Sequence, residues 1–300
     1  MFVLGTARLR GFKRQNTSAP FDAMQILHGL TSRYQLEVRA AMRLRRVWIG
    51  AIAFGAYVCW QIVSDHFALS RHIDEYVSLS VNNIASQNSI INHAIYIASE
   101  ATVLTGGLLI ALVWYCWFNT NAKEARERLL LGFGGVLVAA VLSRLLQVSL
   151  PMRARPLHDL ASGFLPLPGI DAELASHWGS FPSDHAALFF ALVTIVWQRS
   201  RWLGLVALLS AVYGVLPRIY FGLHYLSDVT AGAALGTALV LMFERFGPHQ
   251  LARQGLCWEL RLPAVFYGTA FLVSLEVATL FDDIRQAGRG IPAVLKQFGI

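Results

Sequence analysis

Charged side chains are scarce in this sequence of 300 residues: only 14% are Asp, Glu, Lys or Arg, whereas 55% are hydrophobic. A soluble domain usually carries about 25% charged residues, so this chain has too little polar surface to cover a water-soluble globule. Apolar runs close to the bilayer length of about 20 residues recur along it. The composition excludes an ordinary soluble domain and predicts a membrane protein that crosses the bilayer several times.

Cysteine is also scarce, and its spacing excludes two kinds of site. Cys59, Cys116 and Cys257 form no CxxC pair and no metal-ligand spacing. The first two lie in apolar runs, where a free thiol behaves as a small hydrophobic side chain. We therefore expect no redox centre, no metal site and no cofactor. A cleavable signal peptide is not visible in residues 1–46, so the first span is expected to remain as an anchor.

The positive charge of the chain, formally +7, could indicate nucleic acid. The basic residues, however, lie mostly in short segments between apolar runs. That placement fits orientation by the positive-inside rule better than a face that binds a polyanion. We expect membrane lipids, and no nucleic acid, as partners.

The apolar runs predict an all-α, polytopic membrane helical bundle of about six to seven transmembrane helices. The predicted spans are Val47–Val63, Ala101–Phe118, Leu129–Leu150, Ala186–Trp197, Trp202–Leu216, Val229–Phe243 and Ala264–Leu280. Basic residues at the span ends place residues 1–46 in the cytoplasm and the connections 64–98, 151–185 and 217–228 outside. The predicted organisation has four parts, which are a basic N-terminal segment (1–46), a first span with an amphipathic extracytoplasmic segment (47–98), a central core (99–246), and a C-terminal span and tail (247–300).

Unusual polar residues concentrate in three of the outer connections. In the last of them, His224 and Asp228 are four residues apart, so on a helix they would share a face and could hydrogen-bond. A carboxylate that holds one ring nitrogen leaves the other free as a base or nucleophile. Arg218 precedes the histidine, and Gly222 between them could supply a break that turns the arginine toward it. The pattern predicts a nucleophilic histidine.

A second segment, Pro182-Ser183-Asp184-His185, opens the fourth span. Proline suits the first helical position, and the backbone N–H groups that follow have no partner within the helix. Such a helix N-terminus binds phosphate. Ser183 could add a hydroxyl donor and His185 could act as a general acid. The alternative is that Ser183 and Asp184 are ordinary helix caps.

Arg153 and Arg155 follow the third span. Guanidinium groups match phosphate oxygens bidentately and can stabilise charge on a transferring phosphoryl group. An ordinary arginine pair at a span end is the alternative, although basic residues are less common on the outer face.

Together the three segments resemble the signature motifs of the type 2 phosphatidic acid phosphatase (PAP2) superfamily, which is related to the vanadium haloperoxidases. The family pattern is roughly K-x6-R-P, P-S-G-H and S-R-x5-H-x3-D. Here Arg155-Pro156, Pro182-Ser183-x-His185 and Arg218-x5-His224-x3-Asp228 match in order, within about residues 100 to 245. The central core 99–246 is therefore the expected catalytic core.

The resemblance implies a role for each matched residue. His224 would form a phosphohistidine, Asp228 would orient it, and His185 would be the general acid. Arg155, Arg218 and Ser183 would bind phosphate, with the backbone of Asp184 and the nearby Arg153 as further candidates. The resemblance also implies that no metal is needed.

Three positions depart from the family pattern. Val148 stands where the family has lysine, and the nearest basic residues are Arg153 and Arg144. Asp184 replaces glycine, so its carboxylate must turn away from phosphate or be neutralised by a neighbour. Pro217 replaces serine and removes a hydroxyl but no charge.

These observations predict an integral-membrane phosphatase that hydrolyses a lipid phosphate or diphosphate on the extracytoplasmic side of a bacterial inner membrane. Undecaprenyl diphosphate, phosphatidic acid and phosphatidylglycerol phosphate all fit. The alternatives are a lipid phosphotransferase of the same superfamily and a non-catalytic lipid-binding or transport protein. Glu276 in the last span is an intramembrane carboxylate, for which we expect a structural hydrogen bond.

Overall fold

A computed structural model describes the protein at residues 57, 68–85, 89–99, 101, 103–159, 162–167, 178–282 and 284. The predictions for the N-terminal segment 1–46 and for nearly all of the first span, Val47–Val63, concern residues outside these ranges, as does the end of the C-terminal tail.

The described ranges contain helices and no β-strand, which confirms the predicted all-α fold. The part of the chain from residue 68 onward that the structure describes forms the α-helices α1 (Ala68–Ala85), α2 (Ser89–Ser99), α3 (Leu108–Phe118), α4 (Lys123–Ser149), α5 (Asp184–Arg199), α6 (Arg201–Tyr220), α7 (Leu226–Phe246), α8 (His249–Arg261) and α9 (Pro263–Ala278). A π-helical turn, Val103–Gly107, precedes α3, and a 3-10 turn, Pro156–His158, lies between α4 and α5.

Helix α5 lies at the centre of the bundle, where it packs against α3, α4, α6 and α7. Nearly all of its side chains from Ala186 to Val196 are buried. This helix of 16 residues is therefore surrounded largely by other helices of the bundle. The helix begins at the second sequence motif, so the core directly positions that motif.

Two glycines on α7 bring this helix close to α5. A side chain at Gly232 would collide with the backbone carbonyl of Ser183, and one at Gly236 with the carbonyl of Ala187. Small residues four apart let two membrane helices approach at backbone distance. The contact holds the N-terminus of α5 beside the N-terminus of α7, and these ends carry the second and third motifs.

Several helix ends differ from the predicted spans because charged residues are paired between helices. Helix α4 begins at Lys123 rather than Leu129. Within its first turns, Arg126 donates to Glu259 of α8 at 2.9 Å, and His249 Nδ1 lies 2.7 Å from Glu127 Oε1. Residues 123–128, which lie between two predicted spans, are thus helical, since their charges are paired with α8.

Helix α6 also extends beyond its predicted end at Leu216, to Tyr220. It therefore includes Pro217 and Arg218, which the sequence prediction assigned to a connection. Pro217 lies in the last turns of the helix. The chain reverses its direction after the helix, at Gly222, whose φ is +68°. Glycine adopts this left-handed conformation without the steric cost that a side chain adds.

The predicted amphipathic segment 64–98 contains the helices α1 and α2, which attach to the bundle through buried polar side chains. Tyr220 donates to Asn92 of α2 at 2.6 Å, and Asn82 of α1 exchanges two hydrogen bonds with the backbone of Leu165. The third attachment, at Asp74, belongs to the candidate site.

Three of the described helices are long and apolar enough to cross a membrane: Lys123–Ser149, Arg201–Tyr220 and Leu226–Phe246. Two shorter apolar segments are Val103–Phe118 and Pro263–Ala278. The protein is an integral membrane protein, while the predicted number of six to seven spans stays a prediction. Within the described ranges, no hydrogen-bond donor lies within reach of the buried Oε2 atom of Glu276, so the structural hydrogen bond expected there is not seen at this atom.

Candidate active site

Backbone and side-chain hydrogen bonds join the three predicted motif segments to one another. Ser180 N–H donates to the Arg153 carbonyl at 3.0 Å, and Ser183 N–H donates to the Asp228 carbonyl at 2.9 Å. The Arg155 guanidinium donates to the carbonyl of Leu223 at 2.6 Å. Each pair of segments is thus linked directly, and the structure brings the predicted site residues together.

His224 lies in the short connection between α6 and α7 and is only 3% exposed. Its backbone N–H donates to the carbonyl of Arg218 at 3.1 Å, in the reversal that closes α6. Its Nδ1 atom lies 2.8 Å from the Ser180 carbonyl oxygen. A carbonyl can only accept, so Nδ1 carries the proton and Nε2 keeps its lone pair.

The surroundings of His224 keep its ring neutral. Burial, helped by the nearby charge of Arg155, lowers the pKa of His224 to about 3, although Asp184 and the Ser180 carbonyl act in the opposite direction. An imidazole with this pKa is unprotonated at every physiological pH. A neutral ring with a free Nε2 is the form that can act as a nucleophile.

Asp228 does not hydrogen-bond His224, which differs from the sequence expectation. His224 precedes α7, whereas Asp228 lies in its first turn, so the two do not share a helical face; His224 Nδ1 and Asp228 Oδ2 are 3.9 Å apart. The carboxylate instead accepts from the Tyr225 backbone N–H at 2.8 Å. Asp228 caps α7, and the Ser180 carbonyl occupies the orienting position beside the histidine.

Arg153 faces carboxylates in this structure. Its guanidinium donates to Asp228 Oδ1 at 2.5 Å and to Asp74 Oδ2 at 2.6 Å, and it lies 4.3 Å from the centre of the Tyr225 ring. Burial alone would lower the pKa of Arg153, but the charges of Asp228 and Asp74 raise it. This geometry departs from the expected phosphate-binding role, since Arg153 neutralises two buried carboxylates.

The sequence analysis did not assign Asp74 to the site. Asp74 is 1% exposed and accepts from both the N–H and the hydroxyl of Ser227, at 2.9 and 2.6 Å. It joins α1 to the N-terminus of α7 beside Asp228. In the sequence, Asp74 is one carboxylate in an amphipathic segment outside the three motifs. Many surface helices carry such a carboxylate, so it does not indicate a site.

The two matched arginines lie near His224. Arg155 is 4% exposed and its guanidinium lies 3.5 Å from the Gly179 carbonyl, in addition to its bond with Leu223. Burial lowers the pKa of Arg155, the charges of Asp184 and Asp228 raise it, and the charge of Arg218 lowers it. Arg155 therefore adds positive potential at the histidine, and Arg218 lies close enough to Arg155 to repel it.

The second motif forms the N-terminus of α5. Ser183 is its N-cap and accepts from the Ala186 N–H at 3.4 Å, as the helix-cap alternative predicted. The Asp184 carboxylate turns sideways: its Oδ1 atom lies 2.9 Å from the Nδ1 of His185. Its Oδ2 atom lies 3.9 Å from the guanidinium of Arg144.

The first motif has valine at position 148 in place of the family lysine, and the structure shows which residues of α4 face the site instead. Val148 is 59% exposed on the outer side of α4, whereas Gln147 is 2% exposed and donates to the Pro182 carbonyl at 2.7 Å. Arg144 stacks over the Trp178 ring at 4.0 Å while it approaches Asp184. The inner face of α4 thus contributes Arg144 and Gln147 to the second motif, and position 148 lies off this face.

A cavity of about 250 Å³ opens beside Asp74 and Arg153. Its walls come from α1, from the connection after α4 and from the start of α7, and they are formed by Arg71, Asp74, Glu75, Pro151, Met152, Arg153, Ala154, Asp159 and Tyr225. The polar walls adjoin the Arg153–Asp228 pair.

Comparison with known proteins gives the family. The PAP2 superfamily profile matches residues 154–251. The bacitracin transport permease protein BcrC of Bacillus licheniformis is 31% identical over 166 residues, which are 54% of this chain and 74% of that protein. The lipid A 1-diphosphate synthase of Escherichia coli K12 is 30% identical over 124 residues, covering 39% and 51% of the two chains.

A longer but more distant match is the undecaprenyl-diphosphatase BcrC of Bacillus subtilis 168. It is 20% identical over 167 residues, which are 56% of this chain and 80% of that protein. The residues matched by the profile include Arg155-Pro156 of the first motif and the whole of the second and third motifs, whereas position 148 lies outside them. This integral-membrane chain belongs to the PAP2 superfamily of lipid phosphatases.

Proposed function

We propose that the protein hydrolyses a lipid phosphate or lipid diphosphate through a phosphohistidine on His224, without a metal ion, on the extracytoplasmic side of a bacterial inner membrane. The observation that carries this proposal is the buried, neutral His224. Its Nδ1 proton is held by the Ser180 carbonyl, and the start of α5 and Arg155 lie beside it.

In the first half of the reaction, Nε2 of His224 attacks phosphorus. The N–P bond forms while the bond from phosphorus to the leaving oxygen breaks, and His185 gives its Nε2 proton to that oxygen. The products are a phosphohistidine and the free lipid alcohol, or a lipid monophosphate if the substrate is a diphosphate.

In the second half, water replaces the leaving group. His185, now without its Nε2 proton, takes a proton from the water as its oxygen attacks phosphorus. The N–P bond breaks, phosphate leaves and the neutral His224 returns. Both histidines end in their starting protonation states, so the cycle balances.

Positive charge from the protein stabilises the phosphoryl oxygens. Arg155 supplies a guanidinium near His224, and Arg218 supplies a second one near Arg155. The first turn of α5, capped by Ser183, adds the positive end of the helix dipole close to His224. Arg153 supports the site indirectly because it balances the charge of Asp228.

The relatives favour a polyprenyl or lipid phosphate substrate. One of them is named an undecaprenyl-diphosphatase. A phosphotransferase is the second candidate, because another relative is named a lipid A 1-diphosphate synthase; in that case an alcohol or phosphate acceptor replaces water. A third relative is named a transport permease protein, and on that ground non-catalytic lipid binding or transport is the third candidate.

The test is phosphate release by purified protein in detergent across undecaprenyl diphosphate, phosphatidic acid and phosphatidylglycerol phosphate. We expect release from at least one lipid, insensitive to EDTA and inhibited by vanadate, which mimics phosphate at a histidine. His224→Ala should lower the rate by at least about a thousandfold. His93→Ala, which changes an exposed histidine on α2, is the matched control and should keep full activity.

A trapped, acid-labile phosphoenzyme that is missing in His224→Ala would support the histidine mechanism. Equal release by both proteins would exclude it. Absence of release from every lipid by the unmodified protein would favour the non-catalytic alternative, and release only when an acceptor lipid is added would favour the phosphotransferase.

A further inference from the structure

Asp184 occupies the position where the family pattern has glycine, and its contacts give it a specific geometry. Its Oδ1 atom lies 2.9 Å from Nδ1 of His185 and accepts the His185 backbone N–H at the same distance. The carboxylate therefore contacts the side chain that follows it in the sequence. A glycine at position 184 would make neither contact.

We infer that Asp184 is a positioning residue, which holds the Nδ1 edge of His185 so that the Nε2 proton is directed at the leaving oxygen. This inference rests on the proposed phosphatase function. The carboxylate can only accept, so Nδ1 of His185 carries a proton in the contact. Proton donation to the substrate must then come from Nε2, on the opposite edge of the ring.

The geometry of His185 is further restricted by its other neighbours. The ring packs edge-on against Phe189, one turn later on α5, with the centroids 6.1 Å apart. The side chain of Asp184 is in turn restricted by Arg144 of α4, whose guanidinium is 3.9 Å from Oδ2 and stacks on Trp178. The ring orientation thus depends on contacts with two helices.

Charge also favours the acid form of His185. A carboxylate at hydrogen-bond distance favours a protonated imidazole, while nearby cations oppose it. The cations close to this pair come from three other parts of the fold: Arg144 of α4, Arg155 of the connection after α4, and Arg218 at the end of α6, which lies near Arg155. The neutral His224 also faces His185. Among these groups the Asp184 carboxylate is the one in direct contact with the ring.

The two histidines of the site therefore have different hydrogen-bond partners at Nδ1. His224 is oriented by a neutral carbonyl and stays a neutral nucleophile, whereas His185 is oriented by a carboxylate and keeps its proton as an acid. Two imidazoles with different neighbours can therefore perform opposite roles in one site.

The experiment compares Asp184→Asn with the unmodified protein on two substrates of different leaving-group quality. One is the lipid that the unmodified protein hydrolyses fastest, and the other is p-nitrophenyl phosphate, whose phenolate leaves without a proton. We expect kcat to fall by about 10- to 100-fold with the lipid and by less than about threefold with the aryl phosphate. The alkaline limb of the kcat–pH profile with the lipid should move to lower pH by about one unit.

Controls distinguish positioning from folding and from a general charge effect. Glu124→Gln removes an exposed carboxylate from the first turn of α4, outside the site, and should change neither the substrate ratio nor the pH profile. Asp184→Glu restores the charge and should recover part of the lipid activity.

An equal fall of kcat for both substrates with an unchanged pH profile would show a merely structural role and overturn the inference. Unchanged activity of Asp184→Asn on both substrates would overturn it as well, and the His224-dependent phosphatase would still stand. Absence of turnover of any substrate by the unmodified protein would instead contradict the proposed function itself.

Discussion

At the residue scale, the partner of His224 determines which nitrogen can react. The Ser180 carbonyl at 2.8 Å accepts a hydrogen bond but cannot take up a proton. The ring therefore keeps one tautomer, and the neighbouring Asp228 accepts from the Tyr225 N–H and from Arg153 instead. Burial and the nearby Arg155 together prevent protonation of the free nitrogen.

This environment makes the stability of the protein dependent on pH. The pKa of His224 is about 3 in the folded protein and about 6.5 in an unfolded chain. Between these values the unfolded state binds a proton that the folded state does not, so the contribution is fully present above about pH 6.5 and is lost as the pH falls toward 3. We expect the Tm of the detergent-solubilised protein to fall more steeply between pH 7 and pH 4 than that of His224→Gln. Parallel Tm curves for the two proteins would contradict this account.

At the element scale, α1 is joined to the catalytic helices by one buried carboxylate. Asp74 contacts Ser227 and Arg153, and Arg153 contacts Asp228. A helix outside the matched family profile is in this way connected to the start of α7. This connection gives Arg153 a structural role that differs from that of Arg155.

Removal of this carboxylate should weaken both the fold and the site. Asp74→Ala leaves Arg153 buried without one of its two anions, for which we expect a loss of about 3–5 kcal/mol in unfolding free energy and a fall in kcat. Glu75→Gln, the adjacent and more exposed carboxylate, should cost less than about 0.5 kcal/mol. A double-mutant cycle with Arg153→Met measures the coupling; a coupling energy near zero would show that the two side chains act independently.

The packing of α5 against α7 offers a second test at this scale. Gly236→Ala adds a methyl group that collides with the backbone carbonyl of Ala187, so the helices must separate. We expect a lower Tm, and reduced activity because Ser183 moves away from Asp228. Gly268→Ala on α9 is the matched control, since nothing lies within 4 Å of the added atom; it should be neutral or slightly stabilising. Similar behaviour of the two variants would contradict the close contact.

At the scale of the whole molecule, the charged clusters separate into two groups. The motif residues and the cavity lie at the starts of α5 and α7 and the end of α6. The ion pairs of Arg126 with Glu259 and of Arg199 with Glu244 lie at the other ends of these helices and at α8. This separation agrees with the proposed orientation, in which the site is outside and the basic segments are in the cytoplasm.

Cysteine labelling tests this orientation. Cys257 on α8 is exposed, and Met152 beside the cavity is 67% exposed. In intact bacterial cells whose outer membrane has been permeabilised, a membrane-impermeant maleimide should label Met152→Cys in a Cys59→Ser background. It should label Cys257 only after the inner membrane is opened. Labelling of Cys257 in intact cells, without labelling of position 152, would reverse the proposed topology.

Much of the fold and of the site could be predicted from the sequence because the relevant signals are local. The apolar runs predicted helices at α3 to α7 and α9, and the three motifs predicted that His224, His185 and Arg155 would meet. The helix ends were less predictable, since α4 begins at Lys123 only because its charged turns pair with α8.

The sequence by itself determined the helical membrane class and the chemical types present at the site, because hydropathy and side-chain identity are properties of each residue. Only the tertiary structure decided which partner each side chain has. It gave His224 a backbone carbonyl, which leaves no trace in a sequence motif, and it gave His185 the carboxylate of Asp184. It also paired Arg153 with Asp74 across 79 residues of chain. Such pairings depend on the packing of distant helices, which brings groups within 3 Å in space whatever their separation along the chain.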